Sequence, residues 1–208
     1  EIIDAETIIG DQRSGIAEYN GHYYYVTKAG YLYKTAVDGN GYFTETESVK
    51  LSGASTSTPV IYNGNVYIGV QSNGFSGIIA VLDAENLATK STVSMKGYPQ
   101  NEVLITTAYE DVYIYSTYNS PPGGLTVIDS SMKTSELYSP EDDSKGYCIS
   151  TVTATDNGTL IYKNDSGTIF AVGKKTAEEP QKSFFERIID WIRLIFSKIA
   201  GLIARGET

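Results

Sequence analysis

The chain has very little of what hydrolases and metal enzymes are usually built from: one Cys, one His and one Trp in 208 residues. The single thiol, Cys148, excludes an intrachain disulfide and any zinc site made of several thiolates. Flanked by Tyr147 and Ile149, it reads as a small buried apolar residue. A Ser or Cys triad needs a general base, usually His. The only one, His22, sits beside an Asn20-Gly21 turn signal and reads as a solvated turn residue. Positive charge is scarce as well, with 16 Lys and Arg against 25 Asp and Glu, net −9. A sequence-independent nucleic-acid binder needs a basic face to displace counterions, so no nucleic-acid partner is expected. No basic-then-apolar segment opens the chain, so a signal peptide is either absent or already removed. The abrupt start "EIIDAETIIGD" reads as a cut inside a longer protein.

Tyrosine and glycine are abundant, with 17 and 20 copies. Tyr suits half-buried pleated surfaces and Gly suits tight turns, so together they lean to an all-β fold. Hydrophobic residues at 41% and charged residues at 20% are ordinary for a globular chain, long enough for one well-buried core plus an appendage.

Two markers recur together. "YNGHYYYV" (19–26) aligns with "YNGNVYIGV" (62–70), "YEDVYIYS" (109–116) and "DNGTLIYK" (156–163), anchored on Tyr24, Tyr67, Tyr113 and Ile161. A Gly opens the strand after each anchor, at Gly30, Gly77, Gly124 and Gly167. Both series keep a period of roughly 45 residues, the size of a four-stranded propeller blade. The second unit reads "PVIY", an Asn63-Gly64 turn, "NVYIGV", a "QSNGFS" turn, "GIIAVLD", and a fourth strand "ATKSTVSM". The first ends in a "DGNG" turn (38–41) and "YFTETESVKL", whose alternation suits a half-exposed edge; the third strands are apolar almost throughout, as central strands should be. The expected architecture is therefore an all-β β-propeller of about four four-stranded blades, with units near 14–55, 56–98, 99–145 and 146–175.

Residues 57–87, "STPVIYNGNVYIGVQSNGFSGIIAVLDAENL", resemble the repeat of the pyrroloquinoline-quinone-like (PQQ-like) propellers, roughly S-P-V-V-x-N-G-x-V-Y-V-G-x-x-D-G-x-L-Y-A-L-D-A. The second unit matches well, the first more loosely, and the third and fourth are degenerate; the resemblance spans about residues 14 to 175. It implies a propeller of the kind found in quinone-dependent alcohol dehydrogenases, outer-membrane assembly scaffolds and bacterial cell-surface proteins. The vicinal cysteines of the enzymes are absent and Trp191 lies outside the repeats, so neither a quinone cofactor nor catalysis is expected. Such relatives usually close with seven or eight blades. Four units then mean a fragment of a larger propeller, a ring of few blades, or copies that complete one another.

After a charged linker at 176–182, the period changes from two to helical. Over 183–205 the apolar positions Phe185, Ile188, Ile189, Trp191, Ile192, Ile195, Phe196 and Ile199 define one wide stripe of an amphipathic helix, with Ser183 and Glu186 placed as a capping box. Charges at Glu186, Arg187, Asp190, Arg193 and Lys198 make it a poor membrane span. Residues 182–208 carry net +2, leaving −11 on the remainder. The stripe is read as a contact surface for self-association, a protein partner or the interface of a membrane.

The remaining candidates are weak. "VDGNGYF" (37–43) lacks the alternating ligands of a calcium loop, "SPEDDSKG" (139–146) reads as a solvated loop, and no two carboxylates are marked as facing each other, so no metal is assigned. The loop "STYNSPPGGL" (116–125) is expected to project, offering Tyr118, Pro121 and Pro122 to a partner. The leading expectation is a non-catalytic scaffold or binding module, extracellular or at a cell surface, whose C-terminal helix mediates association. The alternatives are a carbohydrate-binding or carbohydrate-active propeller with tyrosines as sugar platforms, and an assembly scaffold whose sheet edges pair with other chains.

Overall fold

The computed structural model describes residues 1–108 and 110–174, all within a β body. Four antiparallel sheets follow one another along the chain, each with its strands in sequence order. Sheet 1 contains β1 (Ala17–Tyr19), β2 (His22–Val26), β3 (Tyr31–Val37) and β4 (Phe43–Lys50). Sheet 2 contains β5 (Val60–Tyr62), β6 (Asn65–Gln71), β7 (Gly77–Asp83) and β8 (Thr89–Met95). Sheet 3 contains β9 (Leu104–Ala108), β10 (Asp111–Thr117), β11 (Leu125–Ile128) and β12 (Thr134–Tyr138). Sheet 4 has three strands among the described residues: β13 (Thr153–Ala154), β14 (Leu160–Lys163) and β15 (Ile169–Val172). The expected linker and helix, residues 176–205, lie outside the described residues.

Local chemistry sets the strand breaks where the repeat markers placed them. Asn20 and Gly21 have φ of 50° and 74°, and Asn63 and Gly64 have 48° and 69°. Positive φ at both central positions makes a two-residue hairpin whose twist matches its strands, and pairs Tyr19 with His22 and Tyr62 with Asn65. Alternation along the strands then sends Tyr24, Val26 and Leu32 to one face of sheet 1, against Val66, Ile68 and Leu82 of sheet 2. Ile79, Val81 and Val93 on the other face of sheet 2 meet Ile114 and Ile128 of sheet 3. Leu125 of sheet 3 meets Leu160, Tyr162 and Phe170 of sheet 4, and Cys148 in the segment that leads to it. The body is thus three apolar cores in series, each between consecutive sheets. β6 and β7 are buried on both faces, as their apolar composition predicts. The edge strand β4 departs from expectation: of its eight residues only Val49 is even half-buried, because polar side chains stand on both of its faces from Thr44 to Ser48.

A second joint repeats at the periphery. Gly10, Gly53, Gly97 and Gly146 each precede a residue whose carbonyl accepts from the end of the second strand of the following sheet or from the turn after it. The bonds are Lys28 N to Asp11 O (2.8 Å), Gln71 N to Ala54 O (2.8 Å), Asn119 N to Tyr98 O (2.8 Å) and Asp165 N to Tyr147 O (2.9 Å). The glycines are required by close approach: a Cβ on Gly53 would enter the Gln71 carbonyl oxygen. Near the first strands, Gly15 N donates to Thr58 Oγ1 (2.8 Å), Ser57 Oγ to Asn101 O (2.6 Å) and Asn101 Nδ2 to Ser150 O (2.6 Å), linking all four sheets in order.

Candidate functional site

The loops that lead into the first strands surround a recess of about 480 Å³. Arg13 and Lys28 come from sheet 1, Thr56 and Gln71 from sheet 2, Gln100 and Asn101 from the entry to sheet 3, and Ile149 from the entry to sheet 4. Two cations and several amides line a hollow in an acidic body, with no carboxylate, thiol or imidazole among the lining residues. Such a set can hydrogen-bond a polar or anionic group.

The groups elsewhere that could carry chemistry are held in structural contacts. His22 opens β2, half-buried, with Nδ1 3.0 Å from Asn20 O. Cys148 is fully buried, its Sγ donating to Lys163 O at 3.1 Å, and burial pushes its thiol up. The Asp38 carboxylate accepts from Asn40 N (2.8 Å) and Tyr42 N (3.0 Å), which closes the 38–41 turn and holds its pKa below the usual range. Asp83 is held low by Lys90, 2.8 Å away, and by two backbone amides.

Tyr118 overturns the expectation of a projecting contact residue. It is 1% exposed, its ring lying in the space left by Gly97 and Gly124, which have no side chains. Its hydroxyl donates to Glu136 Oε1 at 2.8 Å, while Lys96 Nζ holds Glu136 Oε2 at 2.6 Å. Burial first, and then the neighbouring carboxylate, push the phenol up. Pro121 stays exposed and Pro122 half-buried. The helix-face residues Phe185, Ile188, Ile189, Trp191, Ile192, Ile195, Phe196 and Ile199 lie outside the described residues.

Sequence reasoning missed the outward face of sheet 1. Tyr25 and Tyr33 stack there at 5.4 Å between centroids and 7° between planes, with Tyr31 beside Tyr33. Residues 6–16 run across part of this face. Thr46 Oγ1 donates to Glu6 Oε2 (2.6 Å), Phe43 N to Asp4 Oδ2 (3.0 Å) and Ile9 N to Tyr33 Oη (3.1 Å). An apolar groove of about 430 Å³ remains, lined chiefly by Ile8, Ile16, Tyr23, Tyr25, Val37 and Phe43. The signal was present: Tyr23 and Tyr25 flank the anchor Tyr24 and so must point opposite to it.

No protein family and no curated protein matches the chain. Solved structures do. The quinohemoprotein alcohol dehydrogenase of Comamonas testosteroni aligns with TM-score 0.52 at 18% identity, over 76% of this chain and 33% of that one. The computationally designed Ika4 protein aligns with TM-score 0.52 at 14% identity, over 83% of this chain and 98% of that one. The Dos1 propeller aligns with TM-score 0.51 at 13% identity, over 76% and 46%. The fold is that of a β-propeller, and the chain spans about a third of the length of the dehydrogenase.

Proposed function

We propose that the chain is a non-catalytic scaffold or binding module, acting outside the cell or at its surface. The 183–205 stripe is its means of self-association or of contact with a partner or membrane interface. The observation that carries this reading is the use made of the reactive groups: Cys148, His22, Asp38, Asp83 and Glu136 are each held in a structural contact. Binding surface, in contrast, is plentiful, as exposed apolar residues on the outward faces of the two end sheets and as the polar recess near the first strands. Pro121 and Pro122 are a second, smaller contact on this reading.

The test uses the full chain with Ile192→Glu and Ile195→Glu, compared with wild type by light scattering and by co-sedimentation with phosphatidylcholine–phosphatidylglycerol vesicles. A lower mass or lost vesicle binding, with an unchanged β spectrum, is expected. No change in either measurement overturns the role given to the stripe. The Tyr25–Tyr33 stack with Tyr23 beside it favours one second reading, a carbohydrate platform. Glycan-array binding abolished by Tyr23→Ala would support it, and a silent array would dismiss it.

A further inference from the structure

Residues 2–9 occupy a defined place in the repeat. Each peripheral glycine follows the outer strand of one sheet, and the residue after it bonds to the next sheet: β4 leads to Gly53, β8 to Gly97 and β12 to Gly146. Gly10 makes the same joint, since Asp11 O accepts from Lys28 N. Residues 2–9 therefore stand where the outer strand of a sheet preceding sheet 1 would stand, yet they pair with no strand among the described residues. Ile2 is 83% exposed. At the other end, β15 bonds only to β14 among the described residues, and Ile169 is 73% exposed. Among the described residues β15 has a free edge and residues 2–9 have no strand partner, and a free edge can take up such a segment.

Two of the three sheets with a bonded outer strand share one register; sheet 3 differs, since Leu125, one after Gly124, pairs with Tyr138, eight before Gly146, beside a register shift. In sheet 1, Tyr31 pairs with Lys50, one residue after Gly30 against three before Gly53. In sheet 2, Gly77 pairs with Met95, two before Gly97. Carried to Gly167 and Gly10, both templates give the same pairing: Glu6 opposite Ile169 and Asp4 opposite Ala171. The faces agree as well. Asp4 and Glu6 already point at sheet 1, through Phe43 N and Thr46 Oγ1. Residues paired across a sheet share a face, as Ile79 and Val93 do when both pack on sheet 3. Ile169 and Ala171, paired to Glu6 and Asp4, would come down on the Tyr23–Phe43 groove. Tyr23 and Tyr25 sit at the positions equivalent to Val66 and Ile68, which face the preceding sheet in the first core.

We infer that two copies close head to tail: residues 2–9 of each add to β15 of the other as the fourth strand of sheet 4, and Ile169 of one fills the groove on sheet 1 of the other. A heterologous contact that closes after two copies joins two sets of the four described sheets. The interface is the sheet-to-sheet joint already repeated three times inside the chain. It deepens the scaffold reading and rests on it only in the sense that the chain associates.

The test uses the full chain. Native mass should be that of two copies. Ile169→Lys, at an exposed position, should reduce it to one copy with an unchanged β spectrum. Mixing an Asp4→Cys chain with an Ala171→Cys chain in air should give an intermolecular disulfide that neither forms alone. Hydrogen exchange of residues 2–9 and of β15 should quicken together on dilution. A wild type that stays a single copy overturns the inference, and so does a mass that climbs without limit as concentration rises. A dimer lost with Ile192→Glu but kept with Ile169→Lys also overturns it, while leaving the role of the 183–205 stripe intact.

Discussion

Two buried tyrosines show how one hydroxyl can help the fold and another burden it. Tyr118 lies under a carboxylate that Lys96 also holds, so its O–H makes a charge-assisted bond. Tyr162 stacks on Phe170 at 4.7 Å in the last core, with its hydroxyl buried and unpaired among the described residues. Tyr118→Phe should therefore lower the unfolding free energy by about 1 kcal/mol, since Glu136 is half-exposed and keeps Lys96. Tyr162→Phe should raise it by about 1 kcal/mol, because it removes a buried polar atom without opening a cavity. Urea midpoints measured side by side decide both, and shifts of the same sign would contradict the assignment. Glu136 adds a pH dependence. Partial burial pushes its carboxyl up, but the bonds from Lys96 and Tyr118 outweigh that and hold it below the usual range. A depressed folded-state pKa gives stability that is present above the unfolded carboxylate range and lost as pH falls through the folded value. Glu136→Gln should flatten that part of the acid limb of stability against pH, measured by urea melts, and leave the neutral region parallel to wild type.

At the scale of elements, the hairpins were legible because Asn-Gly is one of the few pairs that accept positive φ at both turn positions, and because two markers kept one period. The peripheral joints were not legible. Gly53 and Gly97 look like loop glycines in sequence, and only contacts from the next sheet show that their lack of a side chain is used. The 116–125 loop was misread for the same reason. Pro-Pro-Gly-Gly suggests projection, but Gly97 and Gly124 leave the slot into which Tyr118 folds back. Two substitutions separate these kinds of glycine. Gly64→Ala enters open space and costs only the left-handed backbone at φ 69°, about 1–2 kcal/mol. Gly53→Ala drives a Cβ into the Gln71 carbonyl and must separate sheet 1 from sheet 2, costing about 3 kcal/mol or more. Thermal melts that rank them the other way would show that the joint is not tight.

The described β body behaves, on this geometry, as a series of sheets whose three apolar cores each join two consecutive sheets. Fold class and sheet number were readable because each blade repeats its own hydrophobic code. The end faces were not, because Tyr23 and Ile169 follow the same alternation as interior residues and differ only in having no next sheet among the described residues. A serial arrangement has local terms plus nearest-neighbour terms, so damage should stay near its origin. Leu82 is fully buried between sheets 1 and 2, and Phe170 is buried between sheets 3 and 4. Truncating either to Ala should cost about 2–5 kcal/mol. The location of the loss should differ. In native-state hydrogen exchange, Phe170→Ala should release the amides of β14 and β15 while those of β6 and β7 keep their protection. Leu82→Ala should release sheets 1 and 2 and spare β14. If both variants instead quickened exchange evenly over all four sheets, the body would be a single cooperative unit, and the end sheets would not be free to act as separable contact surfaces.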